Sequence, residues 1–214
     1  MDNNLEQNRK HTKLIKAHQN NLIISDMNLK DKYTNFEDSK LGESKTLLYE
    51  INKKPTNFKR YSRGRIVKVR FGVNIGSEFS GDHFAIVISK GDTMKSSTLH
   101  IIPITSKKHT KNIEIGTILY SKKEITNLKN ILKQTKKPKL IKKINSIIKY
   151  YENRKNKISY ACVDHLKTIS KLSISNNINE YDYLPNLKCS TELMKTIDES
   201  IIKEYTLQKL NLIE

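Results

Sequence analysis

The chain has 214 residues, enough for one domain with additions or for two small ones, and its 36% hydrophobic content without Trp supplies only a modest core. A formal net charge of +18 points to a polyanionic partner, either nucleic acid or an anionic membrane surface. No apolar run approaches the roughly 18 residues that span a bilayer, MDNNLEQNRKHTK at the start lacks the apolar core of a secretory signal, and Cys162 and Cys189 form no metal-ligand spacing; the expectation is a soluble, cytoplasmic protein with free thiols and no membrane partner.

Residues 1–59 read as a helical N-terminal extension and linker. Leu5, Leu14, Ile15, Leu22 and Ile23 fall partly at helical spacing, and Leu47, Leu48 and Ile51 share a face of a short helix around Ser44–Ile51. The stretch from Asp26 to Gly42 is polar and turn-rich. This arm is either a partly ordered appendage or a contact for a second copy or a partner. Residues 60–214 form the main domain. Ile66, Val67, Val69 and Phe71 alternate with polar residues, Phe84-Ala-Ile-Val-Ile88 is a short β-branched run, and Leu99-His-Ile-Ile-Pro-Ile104 ends in Thr105-Ser106. Three strands on short turns predict an antiparallel meander and the start of a small barrel. Ile113, Ile115 and Ile118 predict a further short strand pair around Gly116.

Residues 121–157 change character, with 13 Lys+Arg against 2 Asp+Glu. Ile125, Leu128, Ile131 and Leu132 fit one helical face; Pro138 interrupts, and Leu140, Ile141, Ile144, Ile147, Ile148 and Tyr151 begin another. The prediction is an inserted helical pair, apolar on one side and Lys-rich on the other. That excess serves either solubility or contact with RNA phosphates. Strands are expected again over 158–163, 164–169 and 170–174. A C-terminal helix over 190–210, capped by Ser190, carries Leu193, Ile197, Ile201 and Tyr205 as a core-facing stripe.

The segments R-G-x-I-V-x-V-x-F-G-x-N-x-G-S-E from Arg63, G-x-H-F-A-I-V-I-S from Gly81 and I-P-I-T-S from Ile102, with a second patch from Tyr160 to Ile174, resemble the MazF/PemK family of bacterial toxins. The resemblance implies a mainly β fold with α additions: a small antiparallel SH3-like barrel, shared with the gyrase poison CcdB. It implies a ribonuclease that cleaves single-stranded RNA, works as a homodimer, and is silenced by an antitoxin competing for the RNA groove. Two other readings stay open, a barrel that binds nucleic acid, RNA or DNA, without cutting it, and a gyrase poison of the CcdB kind.

RNA cleavage needs no metal, because the 2′-hydroxyl attacks the adjacent phosphorus; the protein must remove one proton, stabilise the phosphorane charge and return a proton to the leaving oxygen. No carboxylates cluster for two-metal chemistry, so no metal or other cofactor is expected. His83 stands where the resembling family carries a catalytic Arg before Pro; as imidazole it is a candidate acid/base, or marks a change of substrate or loss of activity. Thr105 matches the family's catalytic Thr and would position the phosphate. His165 is a candidate second acid/base partner. For RNA contact the candidates are Arg65, Asn74, Ser77, Glu78, Ser106, Lys107, Lys167 and Thr168. Against these stand plainer roles: Asn74 and Ser77 suit a turn, and Arg65, Lys68 and Arg70, expected on one solvent face of the first strand, suit a protected sheet edge.

Overall fold

A computed structural model describes residues 2–206 apart from Asn28 and Asn176. Helix α1 (Asp2–Asp26) is polar nearly all round and exposed along most of its length. Helix α2 (Phe36–Lys53) begins eight residues before the sequence reading placed it, inside the stretch expected to be turns; Phe36 is its buried residue, and Glu37 and Asp38 lie in its first turn, where a helix N-terminus favours carboxylates. Leu47, Leu48 and Ile51 remain exposed.

The strands are β1 (Ile66–Arg70), β2 (Asp82–Val87), β3 (Thr98–Thr105), β4 (Ile113–Gly116), β5 (Ser159–Ala161) and β6 (Lys167–Ser170). All pairings are antiparallel, in the order β1-β2-β3-β5-β4, with β6 also beside β3. The expected closed barrel is not formed. Where β6 would reach β1, the chain has entered a short 3₁₀ turn (Lys171–Ser173), so among the described residues a single bridge, Val69 to Ile174, stands in for a ladder. The expected strand pair around Gly116 is one strand, because residues 117–119 turn into the next helix.

Residues 158–170 are not continuous strand either. Ile104 faces Ala161 and Ile101 faces Lys167, so three steps along β3 are matched by six along its neighbour. The three extra residues form the 3₁₀ turn Val163–His165. Such an insertion breaks the ladder and re-aims the side chains it carries.

Each face of the sheet buries its own core. Val67, Val69, Ala85, Val87, Leu99, Ile101 and Ile169 cluster on one face. Ile66, Phe84, Ile86, Ile102 and Ile104 turn to the other, where α3 (Lys122–Gln134), α4 (Pro138–Glu152) and α5 (Thr191–Tyr205) cover them. The Lys-rich helical pair is therefore part of the main core. Ser121 caps α3, its Oγ accepting from the Glu124 amide at 3.3 Å, and Pro138 opens α4 with its φ already helical. Ile144, Ile147, Ile148 and Tyr151 of α4 are buried, and the Tyr151 hydroxyl donates to buried Asp182 at 2.6 Å. On α5 the buried residues are Met194 and Ile197; Tyr205 is exposed at its ring, but its hydroxyl donates to the Val163 carbonyl at 3.0 Å. The helix is observed to Tyr205; the rest of the expected span, 207–210, lies outside the described residues.

Candidate active site

β1 ends at Arg70, and Gly72 (φ +74°) turns the chain into a loop that returns at Asp82. Asn74 staples this loop from inside: its Nδ2 donates to the Phe71 carbonyl at 3.0 Å and the Phe79 carbonyl at 2.6 Å, while its backbone amide donates to Ser80 Oγ at 3.0 Å. The plain turn role of Asn74 is the one the geometry supports. Lys32, from the N-terminal arm, holds the loop from outside, donating to the carbonyls of Asn74 (2.9 Å) and Gly76 (2.8 Å).

The loop places Phe79 between two histidines. Its ring stands edge-on to His83 at 4.9 Å and to His165 at 5.0 Å, and Phe71 packs behind at 5.9 Å. The two imidazoles come from distant parts of the chain. His83 lies in β2 opposite fully buried Val69; His165 comes from the 3₁₀ turn that interrupts the β5–β6 run. Their separation cannot exceed the sum of the two ring distances. His83 Nε2 lies 3.0 Å from the Ser80 carbonyl, which can only accept, so Nε2 donates there, and in the neutral tautomer Nδ1 is the nitrogen with the lone pair. His165 makes no side-chain hydrogen bond among the described residues.

Lys167 opens β6 two residues after His165 and pairs with Glu78 of the loop at 3.2 Å, both exposed. Thr105 ends β3. The β2–β3 register pairs Ala85 with Pro103; carried two residues further, it sets Thr105 level with His83 on the same face of the pleat. Thr105 Oγ1 accepts from the Lys107 amide at 3.1 Å, leaving its own hydrogen to donate. Ser77, Ser106 and Lys107 are exposed.

Two candidates stand apart. Arg65 lies opposite Val87, four residues along β2 from His83, or about 13 Å at a strand's rise. It also lies at an odd position with Val67 and Val69, whereas Lys68 and Arg70 are even; period two puts it on the other face from them, against the sequence reading. Lys68 is engaged with Asp82 at 2.9 Å. Thr168 sits across from His100 and bonds its Nδ1 at 2.8 Å, one residue out of phase with Lys167 and so turned to the opposite face. Phe79, Ser80 and Lys32 were missed from sequence; a lone phenyl in a polar loop, Glu78-Phe-Ser80, was the available signal for the first.

Buried thiols contribute nothing to this rim. Desolvation pushes Cys162 up to about 12, helped by Asp164, and Cys189 up to about 11. Among the described residues, no three His, Cys, Asp or Glu side chains gather as a metal ion would require.

Residues 62–205 match the family of PemK-like, MazF-like toxins of type II toxin–antitoxin systems. The chain belongs to this family. The match spans all six strands, the Lys-rich helical pair and α5, and begins after the helical arm, so both imidazoles fall inside the PemK/MazF-like region. The chain is also similar to the Form-I crystal structure of MazF from Deinococcus radiodurans, at 10% identity and a TM-score of 0.38, covering 69% of this chain and 97% of that one. Comparison with curated proteins gives no match. No helix among the described residues of this toxin-family chain is long and apolar enough to cross a membrane.

Proposed function

We propose that this chain is a metal-independent, sequence-selective endoribonuclease toxin acting on single-stranded RNA, with His83 and His165 dividing proton transfer. The observation that carries the reading is the placement of both imidazoles against one phenyl ring at the rim of the sheet. In-line displacement at phosphorus puts the attacking 2′-oxygen and the leaving 5′-oxygen on opposite sides, and two bases held apart by Phe79 suit those two positions. Nδ1 of His83, left free by the Ser80 contact, removes the 2′-hydroxyl proton. His165 returns a proton to the leaving oxygen. Thr105 donates to a non-bridging oxygen, and Lys167 exchanges Glu78 for the phosphorane charge. Ser77, Ser106 and Lys107 line the exposed approach to the strand. The family implies an antitoxin as physiological partner, and a homodimer is the assembly proposed.

The test is cleavage of a long single-stranded RNA in EDTA by wild type and His83→Gln. Glutamine keeps an N–H near Ser80 and removes the base. Wild type is expected to leave 2′,3′-cyclic phosphates at one short motif, and the variant to cleave about 10²–10⁴ times more slowly. Equal cleavage by both removes His83 from the chemistry. Tight binding by wild type with no cleavage makes the chain a binding module.

A further inference from the structure

The charge of this protein is concentrated on the outer face of α3 and α4, away from the two histidines. Residues 121–157 hold 12 lysines and one arginine against Glu124 and Glu152, while residues 158–214 are net negative. Two of those lysines are paired, Lys129 with Glu152 at 2.6 Å and Lys143 with Glu180 at 2.7 Å. The other ten meet no carboxylate among the described residues. They are also arrayed. On α4, Lys139, Lys142 and Lys149 point away from the face that buries Ile144, Ile147, Ile148 and Tyr151. Lys136 and Lys137 fill the turn before Pro138, and the first turn of α4 holds no acid. Lysines at a helix N-terminus oppose its dipole, so this arrangement costs stability unless an anion offsets it.

We infer that the α3–α4 surface is a second RNA site, binding the phosphate backbone of folded, duplex-rich RNA while the histidine rim acts on a single-stranded segment of the same molecule. Lysine ammonium groups read phosphate charge and not sequence. The half-buried ring of α4, Tyr150, is not open for base stacking: it is covered by the Arg154 guanidinium at 3.9 Å and abuts Tyr151. The helices pack against Ile66, Ile86 and Ile102, and His83 lies on the other side of the pleat with Val69, so one short oligonucleotide does not bridge the two. The location of the target rests on the nuclease reading; the surface itself does not.

The experiment compares wild type with a variant carrying Gln at Lys133, Lys137, Lys139 and Lys142, all exposed, with circular dichroism confirming an unchanged fold. Binding of a 24-base-pair RNA duplex is titrated against salt, and cleavage is measured on a short single strand and on a long folded RNA. The variant is expected to bind the duplex about 100-fold more weakly near 0.1 M salt, with a log–log salt slope shallower by about 3. It should cut the short strand at the wild-type rate and the folded RNA more slowly. Duplex affinity and slope equal to wild type overturn the proposal, as does failure of wild type to bind the duplex. Loss of binding to phosphatidylserine vesicles with duplex binding intact makes the surface a membrane contact and overturns it too. Wild type that binds duplex through these lysines but cuts nothing leaves the surface standing and removes the nuclease.

Discussion

Thr105 has a single free hydrogen bond to give. Its oxygen already accepts from the Lys107 amide, and its hydrogen points to no partner among the described residues. Thr105→Val keeps the β-branched shape that ends β3 and removes only that donor. If the hydroxyl meets a charged phosphate oxygen, cleavage falls about 10–100-fold at unchanged stability, as expected for one charge-assisted hydrogen bond; single-turnover kinetics on a short RNA reads this. His83 shows how one residue acquires a defined role from its neighbours. The Ser80 carbonyl fixes its tautomer and the Phe79 edge fixes its plane. Neither constraint was visible in the sequence, where His83 was a single imidazole in a loop-to-strand rim. The pairing of Glu78 with Lys167 was equally invisible, because 89 residues separate them.

The elements themselves were largely legible. β1, β2, β3, α3, α4 and α5 stand where period-two patterns, a short β-branched run or period-3.6 patterns put them, but not every expected stripe is buried: on α3 Ile131 is exposed, and on α5 Met194 and Ile197 are buried while Tyr205 is exposed. Three features were not legible. The Val163–His165 turn has the composition of a strand, and only its register against β3 reveals it. Helix α2 starts among polar residues whose periodicity is too weak to show it. Closure of the barrel depended on a ladder between β6 and β1 that the turn at Lys171 replaces. That turn is fixed by an ion pair sealed from solvent: Lys171 Nζ lies 2.7 Å from Asp92, with both side chains at most 2% exposed, and also donates to the Thr93 carbonyl at 2.8 Å. Asp92 in turn accepts from the Tyr61 amide at 2.8 Å. Lys171→Met strands the carboxylate and is expected to destabilise the fold by about 3–5 kcal/mol in urea titration; an unchanged midpoint would show that the pair does not hold the turn. The core thiols give a pH signature. Both are raised in the fold above their ordinary value of 9.0, so the unfolded chain loses these protons first as pH rises. Their contribution is whole below pH 9 and is lost as pH climbs towards about 11 for Cys189 and about 12 for Cys162. Stability is expected to fall across that window, and less steeply in a Cys162→Ala, Cys189→Ala double variant. Iodoacetamide at pH 8 should label neither thiol until denaturant is added.

Across the whole molecule, the Lys-rich helical pair and the N-terminal arm have different physical standing. The α3–α4 pair is sunk into the main core and shows only its lysines. The N-terminal arm stays largely outside: Leu14, Ile15, Leu22, Ile23, Leu41, Leu48 and Ile51 are exposed, and Lys32 links it to the loop that presents Phe79. The net +18 is thus not a uniform coat. More than half of it, 13 Lys+Arg against 2 Asp+Glu, lies in residues 121–157 on one side of the sheet, with a pair of histidines at the rim on the other.

The division of labour between those histidines is the central claim, and the pH dependence of RNA cleavage tests it most directly. Rates on a short single-stranded RNA would be measured for wild type, His83→Gln and His165→Gln under single-turnover conditions. A bell-shaped profile for wild type is predicted, with His83→Gln losing the limb set by the base and His165→Gln the limb set by the acid. A wild-type profile without two limbs, or one left intact by both substitutions, would contradict the assignment and place the proton transfers elsewhere on the rim.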